Sequence, residues 1–315
     1  MFFREQKCLI LSKNMTTPIL FSIVIPTYNR AHIISKTIES VLSQSYTSYE
    51  VIIVDDGSTD NTEEVVKKYL SDKVFYFKKR NEERAAARNF GTLKAKGDYI
   101  NWLDSDDLIY PDNLATAVEI IHKYNGPEVF VQGFDVLDSQ GKVLFSSHFP
   151  LDVKTKIYKG NPWGNSPVMV RRDIAVSNLF NDDRDLSASE DYELWLRLAA
   201  KYQIHTSDKR TVAYIYHNEN STLAMRDPDQ LIKRFTKFLH YTTSNKELLT
   251  FLGTHQNFFI MKNYLLLAVD LMIGNHRKPG LRYLKKAFFI SPELVFQKGF
   301  FAFIKYYFRS ITIVK

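Results

Sequence analysis

Tyr99-Ile-Asn-Trp-Leu-Asp104-Ser-Asp106-Asp107 decides the fold. The run opens with apolar and aromatic residues and closes with three carboxylates, the pattern of a buried strand running out to its carboxyl end. In open α/β sheets, ligands bind beyond the carboxyl ends of the strands. Asp104 and Asp106 stand two apart, so on an extended chain both side chains point the same way. Two converging carboxylates repel unless a cation lies between them, and oxygen-only ligands suit Mg2+ or Mn2+. The plainer alternative is a solvated acidic turn before a helix opening at Pro111.

Working outward, Phe21–Thr27 reads as a strand ending at Pro26, and Tyr28-Asn-Arg30 as a loop. Ile34, Ile38, Val41 and Leu42 recur at helical spacing. Glu50–Asp56 is a second buried strand ending in acids, and Gly57-Ser-Thr-Asp60 a turn that caps a helix through about Leu70. Val74–Lys79 is a third strand, Arg84 to Lys96 a helix, and Tyr99–Asp104 the fourth strand. This alternation predicts a doubly wound, mainly parallel sheet with a Rossmann-like half. Val129–Asp138 and Val143–His148 read as a hairpin, a helix starts near Ser189 with Glu190 and Asp191 in its first turn, and Val212–Tyr216 is a strand. Three regions follow: an extension over 1–20, an α/β domain over 21–225 and a helical region over 226–315.

Composition excludes several classes. The 315 residues are 45% hydrophobic and 24% charged, ordinary for a globular chain. A single cysteine, Cys8, excludes a disulfide framework and fits a reducing compartment. We read no signal peptide, Met15 offers a second start, and the longest uncharged runs fall short of the ~18 apolar residues of a membrane span. The net charge of +7 is unevenly placed: residues 277–315 hold nine Lys or Arg and one acid, a surplus of eight, which leaves −1 for the rest. The basicity belongs to the tail, so nucleic acid is not an expected partner.

Five segments form an ordered series: Ile25-Pro-Thr-Tyr-Asn-Arg30; Val54-Asp-Asp-Gly-Ser-Thr-Asp60; Asn81 with Ala87-Arg88-Asn89 and Gly91; Leu103-Asp-Ser-Asp-Asp107; and Ser189-Glu-Asp-Tyr-Glu-Leu-Trp195. This series resembles the motifs of the family 2 glycosyltransferases, which have the glycosyltransferase-A fold. The likeness runs from about Phe21 to Thr222. It implies inverting transfer of a sugar from a nucleotide diphosphate donor to an acceptor hydroxyl, with Mn2+ or Mg2+. On the donor side it implies Pro26, Thr27, Tyr28 and Asp56 at base and ribose, with Asp56 accepting from a uracil N–H, which favours a UDP-sugar. Asn81 and Arg88 match positions that help hold the nucleotide, with Arg30 and Arg84 as cations near the phosphates. Asp106 is the implied metal ligand, with Asp104 on the ribose or the metal shell and Asp107 capping or orienting. His217 matches a position that reaches the diphosphate or the metal in some relatives; a lone histidine is also commonly structural. Asp191 is the implied base, with Glu190 orienting it or holding the acceptor. Both acids also simply suit a helix N-terminus, which lowers a carboxylate's pKa. Trp163 either stacks on a sugar or belongs to the core.

Three rival readings meet features of the sequence that oppose them. A dinucleotide enzyme needs Gly-x-Gly-x-x-Gly after the first strand, where this chain has Pro26-Thr-Tyr-Asn-Arg30. A nucleotidyltransferase needs a glycine-rich basic loop there, also missing. A catalytically inactive, transferase-like binding module is opposed by the intact acids at 104, 106 and 191.

In the tail, Phe296, Phe300, Phe303 and Tyr307 fall in a helical stripe about 60° wide, with Lys298, Lys305 and Arg309 nearly opposite. The expectation is peripheral attachment of 277–315 to an anionic membrane on the cytoplasmic face, beside a saccharide or lipid-linked acceptor. The alternative packs these aromatics on the rest of the chain, or on a second copy as a homodimer.

Overall fold

The computed structural model describes residues 18–149, 156–216 and 227–312. Four parallel strands form one half of a nine-stranded sheet: β1 (Phe21–Thr27), β2 (Tyr49–Asp55), β3 (Val74–Lys78) and β4 (Tyr99–Trp102), in the order β3-β2-β1-β4. Helices α1 (Ile34–Leu42), α2 (Thr62–Lys67) and α3 (Glu83–Lys94) join them. Every residue of β1 and β2 is buried. That is why both read as near-continuous apolar runs rather than as alternating ones.

The chain winds outward from β1 through β2 and β3, then returns to lay β4 on β1's other side. A crevice opens where the winding reverses, beyond the carboxyl ends of β1 and β4. The rest of the sheet is mixed. It uses β5 (Leu108–Ile109), β6 (Val129–Leu137), β7 (Val143–Ser146), β8 (Val168–Arg171) and β9 (Ile204–Ile215). β8 runs antiparallel to β4 and β6, β7 closes the expected hairpin on β6, and β9 lies parallel to β6 and antiparallel to β5. Helix α4 (Asn113–Lys123) follows β5, α5 (Arg172–Ser177) follows β8, and α6 (Glu190–Lys201) precedes β9.

The doubly wound sheet is as expected, with antiparallel pairings added in its second half. β4 stops at Trp102, short of the acids. Asp107 N donates to Asp104 O at 3.0 Å and closes a turn, so the period-two argument for Asp104 and Asp106 does not apply to them. β9 is longer than the expected 212–216, and the expected helix after Gly57 is the short α2.

Among the described residues, five C-terminal α-helices follow: α7 (Pro228–Ser244), α8 (Lys246–Leu252), α9 (Gln256–Ile273), α10 (Arg277–Ile290) and α11 (Lys298–Thr312). Their apolar cluster centres on α9, which α10 and α11 both pack against. Phe303 is 3% exposed in it, with Phe300 and Tyr307 packed alongside. The stripe expected to meet a membrane therefore turns inward, except for Phe296, and internal packing accounts for those rings. No helix among the described residues is long and apolar enough to cross a membrane.

Gly91 fixes how close α3 lies to β1: a Cβ there would stand 2.3 Å from Val24 Cγ1. Gly91→Ala is expected to lower unfolding free energy by roughly 1–3 kcal/mol through overpacking. Urea denaturation reads this, and an unchanged or raised midpoint would show that the helix can back away.

Candidate active site

The site is built from strand ends locked together by polar side chains. After β1, Asn29 takes the left-handed conformation (φ 52°). Its amide nitrogen donates to Ser58 Oγ at 2.9 Å and its Oδ1 accepts from Thr59 N at 2.8 Å. Asp60 accepts from Ala31 N at 3.1 Å and Thr62 N at 3.0 Å. The loops after β1 and β2 are thereby stitched into one wall. The neighbouring acids split their duties. Asp55, fully buried, accepts from Ser58 N at 2.7 Å and from the Tyr76 hydroxyl at 2.6 Å, which is a structural role. Asp56 faces the cleft, and its Oδ1 accepts from Lys79 Nζ at 2.9 Å and Glu82 N at 3.0 Å. Lys79 escaped the sequence reading, which saw it only as the end of the third strand.

Arg88 joins the walls. It is 1% exposed, yet Nη2 donates to Asp104 Oδ1 at 2.6 Å and Nη1 to Glu190 Oε1 at 2.8 Å. Burial pulls its pKa down, but the two carboxylates outweigh it and keep the guanidinium charged. Its guanidinium also lies 5.3 Å from the Phe180 ring centroid. The next residue, Asn89, exchanges two 2.9 Å hydrogen bonds with the backbone of Phe180. Arg88 Nε and Glu190 Oε2 are buried with no hydrogen-bond partner among the described residues. The residues opening onto α3 and α6, Glu83 (φ 76°) and Ala188 (φ 69°), are both left-handed.

In the acidic turn, Ser166 Oγ donates to Asp107 Oδ2 at 2.5 Å and accepts from Asp104 N at 3.3 Å. Asp107 is buried and orients the turn. Burial first, then the charges of Asp106 and Asp104, raise its carboxyl well above the usual range. Asp106 Oδ2 lies 3.6 Å from Arg30 Nη2. Asp104 and Asp106 line the cleft with hard oxygens only, a donor set that fits Mg2+ or Mn2+ sharing its shell with phosphates. Among the described residues no cluster of three His, Cys, Asp or Glu could hold a metal by itself. His217 lies outside the described residues.

Asp191, in the first turn of α6, accepts from Asn161 Nδ2 at 2.9 Å and from Tyr192 N at 2.7 Å. Its pKa is raised to about 6, by burial first and then by Glu190, against the opposing pull of Arg88 and its two donors. The helix N-terminus was expected to lower it; desolvation and the adjacent charge win. Trp163 is buried edge-on to Phe149, with centroids 6.0 Å apart, and belongs to the core.

Asn81 is held by Arg184, whose Nη2 donates to its backbone oxygen at 2.5 Å. Arg184 belongs to a strap that α7 anchors. Lys237 Nζ and the Tyr241 hydroxyl donate to Asp183 Oδ2 at 2.8 and 2.7 Å, and Lys233 pairs with Asp185 at 2.8 Å. Lys237 and then Tyr241 bring Asp183 down to about 2. Nothing in the sequence marked this strap.

All these walls enclose one cleft of about 570 Å3. Pro26, Thr27, Tyr28, Arg30, Asp56, Asn81, Arg88, Asp104, Asp106, Glu190 and Asp191 line it together, with Arg84 at the side.

A family model described as "Glycosyl transferase family 2" matches residues 22–169. The chain carries a family 2 glycosyltransferase domain. It is 29% identical over 239 residues to an uncharacterised glycosyltransferase of Rickettsia felis, covering 72% of this chain and 39% of the relative. It is 26% identical over 229 residues to the chondroitin synthase of Escherichia coli, covering 72% of this chain and 33% of the relative. The chain thus spans about two fifths of the first relative's length and a third of the second's. Residues 1–349 of Staphylococcus aureus TarS, crystallised with UDP-GlcNAc, superpose with a TM-score of 0.61 at 17% identity, over 85% of this chain and 90% of that fragment. The fold of this glycosyltransferase domain is glycosyltransferase-A.

Removing Arg88 strands a buried carboxylate, Glu190, and a half-buried one, Asp104. Arg88→Met is expected to cost about 3–5 kcal/mol in urea unfolding. The double variant Arg88→Met/Glu190→Gln should recover part of that loss; no recovery would mean the pair is not coupled.

Proposed function

We propose that this chain is an inverting glycosyltransferase, moving a sugar from a nucleoside diphosphate donor to an acceptor hydroxyl in the synthesis of a cell-surface polysaccharide or glycolipid. The observation that carries the reading is a single cleft in which Asp56, the Asp104–Asp106 turn and Asp191 converge, with Arg88 tying Asp104 to Glu190, the neighbour of Asp191. The Rickettsia, chondroitin synthase and TarS likenesses support it.

UDP is the favoured donor nucleotide. A carboxylate at Asp56 accepts well from the N–H of a uracil ring, and Lys79 and Glu82 N hold it in place. The UDP-GlcNAc bound by TarS supports the same choice. Pro26, Thr27 and Tyr28 border the base and ribose, with Asn81 opposite and Arg30 near the phosphates. Arg88 acts through Asp104 and Glu190 rather than by reaching the nucleotide, since both of its terminal nitrogens are engaged. Asp106, with Asp104 beside it, would hold a Mg2+ or Mn2+, which would supply Lewis-acid neutralisation of the diphosphate.

Asp191 takes the acceptor's proton as the hydroxyl oxygen bonds to the anomeric carbon and the sugar–diphosphate bond breaks on the opposite side. A pKa of about 6 suits this work, because the group is ionised near neutrality and still basic enough to accept a proton. Glu190, buried beside it, orients Arg88 and raises Asp191's basicity. The acceptor is a saccharide or a lipid-linked saccharide, and peripheral attachment to an anionic membrane completes the reading.

A nucleotide-release assay across UDP-, GDP- and dTDP-sugars tests the donor. Release from UDP-sugars alone is expected, and release from none in Mn2+ would sink the enzyme reading. Asp106→Asn should remove metal-stimulated transfer with an unchanged melting temperature. Asp191→Asn should lower kcat roughly 100- to 10,000-fold while calorimetry shows UDP affinity retained, whereas Asp56→Ala should weaken UDP binding.

The pH profile follows from the ionised form being active. kcat/KM should fall about tenfold per unit as pH drops below about 6. Asn161→Ala removes a hydrogen bond to the charged carboxylate, so the acid limb should move to higher pH. An unmoved or lowered limb would place the base elsewhere.

A further inference from the structure

Burying the expected aromatic stripe leaves a second one outside. On α11 at about 100° per residue, Phe300, Phe303 and Tyr307 point to α9, while Lys298, Phe301, Lys305, Phe308 and Arg309 fall within an arc about 100° wide on the far side. Phe301 and Phe308 are each 62% exposed there. α10 repeats the division. Gly280, Tyr283 and Ala287 are buried against the α9 cluster, and a Cβ at Gly280 would meet Met272 Sδ at 2.9 Å. Its outer side presents Lys278, Arg282, Lys285 and Lys286 with Phe288 and Phe289, the last 85% exposed. Between the helices Phe296 stands 81% exposed. Five exposed aromatic rings and seven exposed cations thus share 278–309 with one acid, Glu293.

α10 and α11 each pack on α9 and each meet the Pro292–Phe296 turn between them. We propose that their outer sides and this turn dock on an anionic lipid bilayer, with Phe289, Phe296, Phe301 and Phe308 entering the interface and the lysines and arginines meeting the headgroups. The proposal gives the peripheral location suggested above its contact residues and reverses the face expected from sequence; it rests on that location, not on the transfer reaction. Interleaved rings and cations suit a fluid interface, which accepts rings at any position while the long basic side chains reach headgroup phosphates. A second copy is a poor occupant, because pairing this face with itself sets seven cations against seven. Lys286 shows the same dual character, with its ammonium 5.0 and 5.6 Å from the Tyr283 and Tyr264 ring centroids.

The test is sedimentation of the full chain with vesicles of phosphatidylcholine alone and of phosphatidylcholine mixed with phosphatidylglycerol, at low and high salt. Binding is expected only to the mixed vesicles and should weaken with salt, because each cation near an anionic surface contributes about fivefold. Lys298→Glu/Lys305→Glu/Arg309→Glu should reduce partitioning a hundredfold or more. Phe289→Ser/Phe296→Ser should reduce it at both salt concentrations. Circular dichroism and nucleotide release in solution should stay unchanged in both variants, since neither reaches the cleft; absence of nucleotide release from the wild type would speak against the transferase reading alone. Equal recovery of wild type from both vesicle types at low salt overturns the proposal. So does light scattering showing a dimer that Phe289→Ser/Phe296→Ser dissolves, which would make the face an interface between copies.

Discussion

The structure depends on one buried cation. Taking a guanidinium out of water costs several kcal/mol, and Arg88 is tolerated only because Asp104 and Glu190 both reach it. These partners come from separate parts of the chain, 16 and 102 residues away. α3, the turn after β4 and the start of α6 must therefore close together or not at all. The same helix adds Asn89, which clamps the backbone of Phe180, and Gly91, which admits Val24. Three residues within one turn set the helix's depth, its neighbour and its charge partners.

That closure sets the carboxylates in two environments. Behind the strand-end wall, Asp55 and Asp60 are held by backbone N–H groups and hydroxyls. In the cleft, Asp107 beside Asp106 and Asp104, and Asp191 beside Glu190, are desolvated and close to like charge, and there the balance tips toward a higher pKa. The difference arises from solvation and from the nearest charge, since the side chains are chemically alike.

Much of this was legible in the sequence, and what was not has specific physical reasons. Strands β1, β2 and β4 announced themselves because helices cover both faces, leaving unbroken apolar runs with acids at their ends. The strand-period argument failed at Asp104 and Asp106 because hydrogen bonding ends at Trp102, a fact set by β1 and β8 rather than by local residues. The Arg88–Glu190 pair was illegible because no local pattern encodes a contact across 102 residues. The direction of the Asp191 pKa shift was misjudged because a helix N-terminus is visible in sequence whereas desolvation is not. In the tail, periodicity identified the Phe300, Phe303 and Tyr307 stripe but not that α9 would cover it, because a helical stripe does not encode its partner.

The strap from Asn181 to Ala188 connects regions that otherwise look separable. Arg184 reaches Asn81 on the cleft's rim, while Asp183 and Asp185 are gripped by Tyr241, Lys237 and Lys233 of α7. As a unit of exchange, then, the C-terminal helices are not modular at the boundary near residue 226. A chimera that swaps them for those of a relative discards the clamp on its neighbour's strap unless 181–188 travels with α7. Recombination that respects this joint would carry cleft rim and tail together, so diversification of the two ends of the molecule is mechanically linked.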